Sequence, residues 1–111
     1  MKPAMKSDTR NFTRKPLRAP ARIGLPAGEV LRARTVDISL GGVCVTVAEQ
    51  LRVGQACMVA FETILNGQSR QVAAKATVVY SILRGTEGFR TGLQFTEIDA
   101  PNNKTLAELM L

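Results

Sequence analysis

The sequence predicts an all-β protein, a six-stranded antiparallel β-barrel with a flexible basic N-terminal arm and a short C-terminal helix. Six segments between residues 21 and 95 alternate apolar and polar residues, which is the period of strands with one buried face. Turn pairs such as Asn66-Gly67 separate them at hairpin spacing, and closure into a barrel leaves no open sheet edge. The basic excess lies in residues 1–22, where seven Lys or Arg stand against one acid, while the remaining residues are neutral.

The arm is expected to span residues 1–20, and the barrel with its helix residues 21–111. The arm is rich in Lys, Arg and Pro, and it carries no apolar stripe that would fix it to a barrel. Four arginines recur every fourth residue, but Pro16 and Pro20 disfavour a continuous helix through them. We therefore expect an extended arm that is mobile in the free protein.

The strand boundaries follow from the alternation and from the Gly, Pro and Asn residues between the segments. The longest segment, residues 70–83, places Tyr80 on the same apolar face as Val78. A short helix is expected over residues 105–111, after Pro101-Asn102-Asn103, because Leu106, Leu109 and Met110 share one helical face. The six predicted strands are residues 21–25, 30–39, 43–47, 56–63, 70–83 and 89–95.

Composition argues against several classes of protein. The 111 residues are 45% hydrophobic, enough for one core, and contain no apolar run of the roughly 18 residues that span a membrane. No apolar segment follows the lysines of residues 1–8, so we expect a cytoplasmic protein rather than a secreted one. The chain has no His, and Cys44 and Cys57 lie in apolar segments as packed thiols. Neither a metal site nor an enzyme is therefore expected.

The stretch from Thr35 to Val45 predicts a strand end, a tight reversal and a new strand. Asp37 and Ser39 would project from the polar face, and Gly41-Gly42 would supply the positive φ angles of the reversal. This arrangement forms a hydrogen-bonding corner with bare backbone, open to a ligand. The alternative is a surface hairpin in which Asp37 and Ser39 cap free N–H groups of the turn.

Arg14 and Arg18 lie at the foot of the arm and offer planar forks of donors that suit phosphate oxygens. Asp37 can accept from the N1–H and N2–H donors of guanine, and Gly42 permits close approach of the backbone. Together these two stretches suit a ligand that has both phosphate and guanine. The alternative for the arginines is a solvated arm without a ligand.

These residues resemble two motifs of the PilZ domain, the bacterial receptor for cyclic di-GMP. Arg14 and Arg18 match R-x-x-x-R, while Asp37, Ser39 and Gly42 match D/N-x-S-x-x-G. Residues 88–95 also look like the last barrel strand of the family, so the resemblance covers about residues 10–95. It implies a six-stranded antiparallel barrel, often with a C-terminal helix. It also implies that the arm folds over the ligand, often a stacked dimer, against the second-motif hairpin.

The register of the first motif has alternatives. Arg10 with Arg14, and Arg18 with Arg22, also fit R-x-x-x-R. Arg14 and Arg18 are preferred because Arg22 falls inside the first predicted strand. Arg10 and Gly41 are additional candidate contacts.

On this basis the chain is expected to be a stand-alone cyclic di-GMP receptor, not an enzyme, with no cofactor beyond that ligand. Ligand phosphates would neutralise Arg14 and Arg18, the arm would order, and the new surface would signal through a protein partner. The alternative function is a small basic-armed barrel that binds nucleic acid, against which stand the few aromatic residues. A third alternative is a PilZ-like adaptor that contacts proteins without nucleotide.

Overall fold

A computed structural model describes residues 12–111, which form seven strands, one turn of 3-10 helix and one α-helix. The helices are the 3-10 turn Gly85–Glu87 and α1, Ala100–Leu109. The strands are β1 (Lys15–Pro16), β2 (Pro20–Gly24), β3 (Val30–Ile38), β4 (Gly42–Val47), β5 (Ala56–Leu65), β6 (Gln68–Leu83) and β7 (Phe89–Glu97).

Six of the strands close an antiparallel barrel, and the predicted fold class is confirmed. The strand order is β3-β2-β5-β6-β7-β4, and the pairing of β4 with β3 closes the ring. The short β1 lies outside the ring, where it pairs antiparallel with β3. All six predicted barrel strands are present, and their boundaries differ from the prediction by at most two residues.

Inward-facing apolar side chains fill the barrel, as strand alternation requires. On β5 the buried residues are Cys57, Val59 and Phe61, each two positions from the next. The β5–β6 hairpin turns at Asn66 and Gly67, whose φ angles of 53° and 80° are the positive values that a two-residue hairpin loop favours. The Asn-Gly pair therefore predicted this hairpin correctly.

The helix starts at Ala100, earlier than the predicted start at residue 105. Pro101 was expected to precede the helix but lies in its first turn. The Asp99 side chain caps the helix by accepting from the backbone N–H of Asn102 at 2.9 Å. Proline is tolerated there since first-turn N–H groups have no partner in the helix. Leu106 and Leu109 then reach the barrel core from one face of α1.

Residues 12–20 of the predicted arm contact the barrel, while residues 1–11, including Arg10, lie outside the described residues. The Thr35 hydroxyl of β3 donates to the Leu17 carbonyl at 2.6 Å and accepts from the Ala19 N–H at 2.8 Å. Ala19 is buried and Leu17 packs against the core. The expectation that the arm has no apolar anchor is therefore wrong for these two residues.

Two of the three register shifts in the sheet, one in β3 and one in β6, decide which way Asp37 and Tyr80 face. Thr35 pairs with Val45 whereas Asp37 pairs with Cys44, so Val36 is an extra residue in β3. Tyr80 pairs with Gly92 whereas Val78 pairs with Leu93, and Val79 is the extra residue in β6. The second bulge turns Tyr80 to the outer face, so the predicted shared face of Val78 and Tyr80 is wrong.

The burial of α1 predicts that the helix is part of the core and not an appendage. Leu106→Ala should lower the free energy of unfolding by about 2–5 kcal/mol, because a fully buried leucine leaves a cavity when it is truncated. Leu111→Ala is the matched control, since Leu111 is 95% exposed, and it should change stability by less than about 0.5 kcal/mol. Chemical denaturation measures both; equal effects of the two variants would contradict the packing of α1.

Candidate ligand-binding site

Two outward-facing rows of residues cross β3, β4, β7 and β6 on one side of the barrel. An inward-facing row, which includes Thr35 and Val45, separates them, so the two outer rows lie about 7 Å apart along the strands. In cross-strand register, the first row is Asp37, Cys44, Gly92 and Tyr80, and the second is Arg34, Thr46, Arg90 and Ile82.

The floor of the first row is built from small residues. Gly92 lies beneath the Tyr80 ring, and a Cβ at this position would collide with that ring. Gly42 precedes Cys44 on β4, and a Cβ there would collide with the Leu93 carbonyl oxygen. These positions therefore require glycine for packing, because the Tyr80 ring covers Gly92 and the backbone of β7 fills the space beside Gly42.

Tyr80 and Cys44 form a hydrogen bond across this floor. The Tyr80 hydroxyl donates to the Cys44 Sγ at 3.4 Å. Burial, followed by this hydrogen bond, raises the pKa of Tyr80 to about 12. Burial also raises the pKa of the Cys44 thiol, which is therefore a packed thiol, as expected, and not a thiolate nucleophile.

Arg14 and Asp37 form an ion pair at the edge of the floor. Arg14 Nη1 lies 2.8 Å from Asp37 Oδ1, and both side chains are partly open to solvent. The pairing of the next residue, Lys15, with Ile38 fixes the position of Arg14 along β3. An exposed pair of this kind adds little stability, so its groups are available to exchange partners with a ligand.

Ser39 caps the β3–β4 turn instead of projecting into solvent. Its buried Oγ accepts from the N–H groups of Gly41 and Gly42, each at 3.1 Å. The hairpin-capping alternative is thus confirmed for Ser39, and its role as a ligand residue stays a prediction. Neither Gly41 nor Gly42 has a positive φ, so that expectation is wrong; the serine hydroxyl closes the turn.

Predicted site residues line two clefts on the outer face, whereas Asp37 lines neither cleft and lies beside the first as the ion-pair partner of Arg14. Arg14, Ser39, Gly41 and Gly42 line a cleft of about 200 Å³, together with Phe12, Tyr80 and Gly92. Arg18 instead lines a larger cleft of about 470 Å³, together with Arg32, Arg34 and Arg90. The Arg14–Asp37 pair and the Arg34–Arg90 row are neighbours on the same face.

Sequence reasoning missed Tyr80, Arg34 and Arg90 as candidate site residues. A bulge brings Tyr80 outward, and nothing in the local sequence marks where a strand gains a residue. The two arginines come from strands far apart in sequence and meet only through register. Their outward positions in alternating strands were the available signal, but which strands are neighbours was not predictable from alternation.

The residues that the structure describes include no group of three or more His, Cys, Asp or Glu side chains that could hold a metal ion. Among residues 12–111, no helix has the length and hydropathy needed to cross a membrane.

The capping role of Ser39 predicts a loss of stability for Ser39→Ala. The buried N–H of Gly42 and the partly buried N–H of Gly41 would lose their acceptor, which should lower the free energy of unfolding by about 1–3 kcal/mol. Ser69→Ala, at an exposed position of β6, is the control and should change stability by less than about 0.5 kcal/mol. Urea denaturation measures both; an unchanged midpoint for Ser39→Ala would argue against the cap.

Tyr80 is the only tyrosine and the chain has no tryptophan, so tyrosinate absorbance reports on this residue alone. The folded protein should titrate near pH 12 and the unfolded chain near pH 10. The phenol ionises at a lower pH in the unfolded chain than in the folded protein. The contribution of neutral Tyr80 to the free energy of unfolding is therefore complete below pH 10 and is lost as the pH rises to 12. Cys44→Ala should reverse only part of the shift, because burial is its larger cause. A folded-state midpoint near pH 10 would contradict the buried geometry.

The fold is shared with solved structures at low sequence identity. The Bacillus subtilis inhibitor of motility (MotI/DgrA) gives a TM-score of 0.75 at 22% identity, over 90% of this chain and 48% of that chain. YcgR from Escherichia coli in complex with c-di-GMP gives 0.73 at 20% identity, over 91% and 44%. The PilZ domain of YcgR with c-di-GMP gives 0.63 at 17% identity, over 90% and 87%. The chain thus spans about half the length of the first two structures.

A comparison with curated proteins finds no significant match. The sequence model of the family described as PilZ domain matches residues 8–111. That match includes both motifs, all six barrel strands and α1. The chain belongs to the PilZ domain family.

Proposed function

We propose that this protein is a cyclic di-GMP receptor that performs no catalytic step and passes its signal to a protein partner. The observation that carries the proposal is the Arg14–Asp37 pair at the edge of the small-residue floor. It brings together one residue from each of the two motifs, although 23 positions separate them in the sequence. Family membership supports the ligand, as do the two structural neighbours that contain c-di-GMP.

Recognition would use both chemical parts of the ligand. Arg14 and Arg18 donate to phosphate oxygens through planar guanidinium forks. Asp37 accepts from the N1–H and N2–H groups of guanine, whereas adenine offers an N1 acceptor and no N2 amine. The site should therefore prefer guanine to adenine.

The ligand would also order the arm. Binding exchanges the Arg14–Asp37 contact for contacts with phosphate and base, and it draws residues 1–14 over the outer face. The Leu17 N–H already donates to the Val36 carbonyl at 3.1 Å, and the Ala19 N–H to the Thr35 hydroxyl. A gain in amide protection is therefore expected before Lys15 and not after it.

A protein partner would bind at the edge of the ligand-occupied site. Val79, Ile82 and Leu83 of β6 are exposed and flank Tyr80. Exposed apolar side chains beside a ligand site suit a partner that binds the arm and the barrel together.

Titration calorimetry with cyclic di-GMP tests the ligand and its contacts. Arg14→Ala and Arg18→Ala should each weaken binding about tenfold to a hundredfold, the usual range for a lost charge-assisted hydrogen bond. Arg10→Ala should cost less. Arg52→Ala is the matched control, because it removes one positive charge from the β4–β5 connection, away from both clefts. Cyclic di-AMP should bind much more weakly than cyclic di-GMP.

Single-stranded DNA separates the receptor from the nucleic-acid alternative. Its binding should be weak and should vanish near physiological salt, because it depends on counterion release. Tight DNA binding without any response to cyclic di-GMP would overturn the proposed receptor function.

Equal affinity for cyclic di-GMP and cyclic di-AMP would contradict the role of Asp37 in guanine recognition. Amide exchange in the same samples shows whether residues 1–14 gain protection, and no change there would overturn the ordering of the arm.

A further inference from the structure

We propose that Arg90, together with Arg34, is a second phosphate-binding pair for the ligand, and that Glu87 occupies Arg90 until the ligand displaces it. The inference rests on the proposed function and extends it to the large cleft, which neither motif predicts. It assigns binding roles to residues of β3, β7 and the 3-10 turn.

The large cleft has far more positive charge than its own acids can balance. Four guanidinium groups, those of Arg18, Arg32, Arg34 and Arg90, line a volume of about 470 Å³ that holds one carboxylate, Glu87. Within residues 12–111, no ion pair forms at Arg18, Arg32 or Arg34. Such a concentration of unbalanced guanidinium groups in a concave surface favours a multivalent anion.

Arg90 carries an unused donor that points to the same conclusion. Its Nε is shielded from solvent and has no hydrogen-bond partner among the described residues. An unsatisfied buried donor is costly, so this group gains from any acceptor that can reach it. Nε and Nη2 form one fork of the planar guanidinium, which matches two oxygens of a phosphate.

Glu87 contacts only one of the two donors of this fork. Its Oε1 lies 3.6 Å from Arg90 Nη2, a long contact, and it leaves Nε without a partner. Glu87 ends the 3-10 turn Gly85–Glu87, and its side chain is 61% exposed. A phosphate that bonds both Nε and Nη2 would therefore replace a weaker, more solvated contact.

The strand register places this pair where a bound dinucleotide can reach it. Arg34 and Arg90 flank Thr46 in one outward-facing row, which is the neighbour of the row that contains Asp37. The rows are about 7 Å apart, so a ligand whose base contacts Asp37 extends over Arg34 and Arg90. Arg18 lines the same cleft, which links the R-x-x-x-R motif to the second pair.

Titrations of charge-matched variants with cyclic di-GMP test the inference. Loss of Arg90 should weaken binding, whereas neutralisation of Glu87 should tighten it. Arg90→Ala should weaken binding about tenfold or more, and Arg90→Lys should restore only part of it, since an ammonium keeps the charge but not the fork. Arg34→Ala should weaken binding in the same direction. Glu87→Gln should tighten binding several-fold because it removes the competing carboxylate. The controls are Arg52→Ala and Glu62→Gln, which change the same charges outside both clefts.

Thermal unfolding of each variant, measured without ligand, separates a binding effect from a folding effect. Unchanged unfolding with weakened binding supports the inference. If Arg14→Ala weakens binding but Arg90→Ala and Arg90→Lys match Arg52→Ala, this inference is overturned while the proposed function stands. Binding by Glu87→Gln that is no tighter than by Glu62→Gln would overturn the displacement of Glu87. A wild-type protein that does not bind cyclic di-GMP overturns both the proposed function and this inference.

Discussion

The antiparallel pairing of β3 with β4 closes the barrel, and the outer face depends on the bulge in that pairing. Without the extra Val36, alternation from the buried Thr35 would turn Asp37 inward, where its charge would have no partner. With it, Asp37 faces outward beside Cys44 while Ile38 stays in the core. The motif D-x-S-x-x-G can therefore present an acid at the surface and a serine inside the turn only because the strand contains one more residue than its partner.

Much of the fold was predictable because it follows from local rules. Alternation identified the six barrel strands, and Asn66-Gly67 identified the β5–β6 turn, since few other pairs accept positive φ at both positions. The helix start was missed because Pro101 looks like a breaker unless Asp99 is recognised as the cap. The bulges were missed because an extra residue is stabilised by packing on a neighbouring strand, and the alternation within one strand does not show which strand lies beside it.

The site was predictable only in part, for a related reason. Motif residues close together in sequence, such as Ser39 and Gly42, were found, but the structure gives the serine a turn-capping contact. Residues that meet through register, such as Arg34 and Arg90, were not found. Charge counts alone placed the basic excess in the arm, yet three of the four arginines of the large cleft belong to the electrically neutral barrel.

Lys15 has a structural consequence for the first motif. Its Nζ donates to the carbonyl oxygens of Leu109 and Leu111 at 2.9 and 3.1 Å, where the negative end of the α1 dipole lies. Its neighbour Arg14 contacts Asp37 on the other side of the chain. Because successive strand residues face opposite ways, a slip of one residue would exchange these two side chains. Because β1 is only two residues long, the contact of Lys15 with the C-terminal end of α1 helps to fix its register. That contact therefore determines that Arg14, and not Lys15, lies beside Asp37.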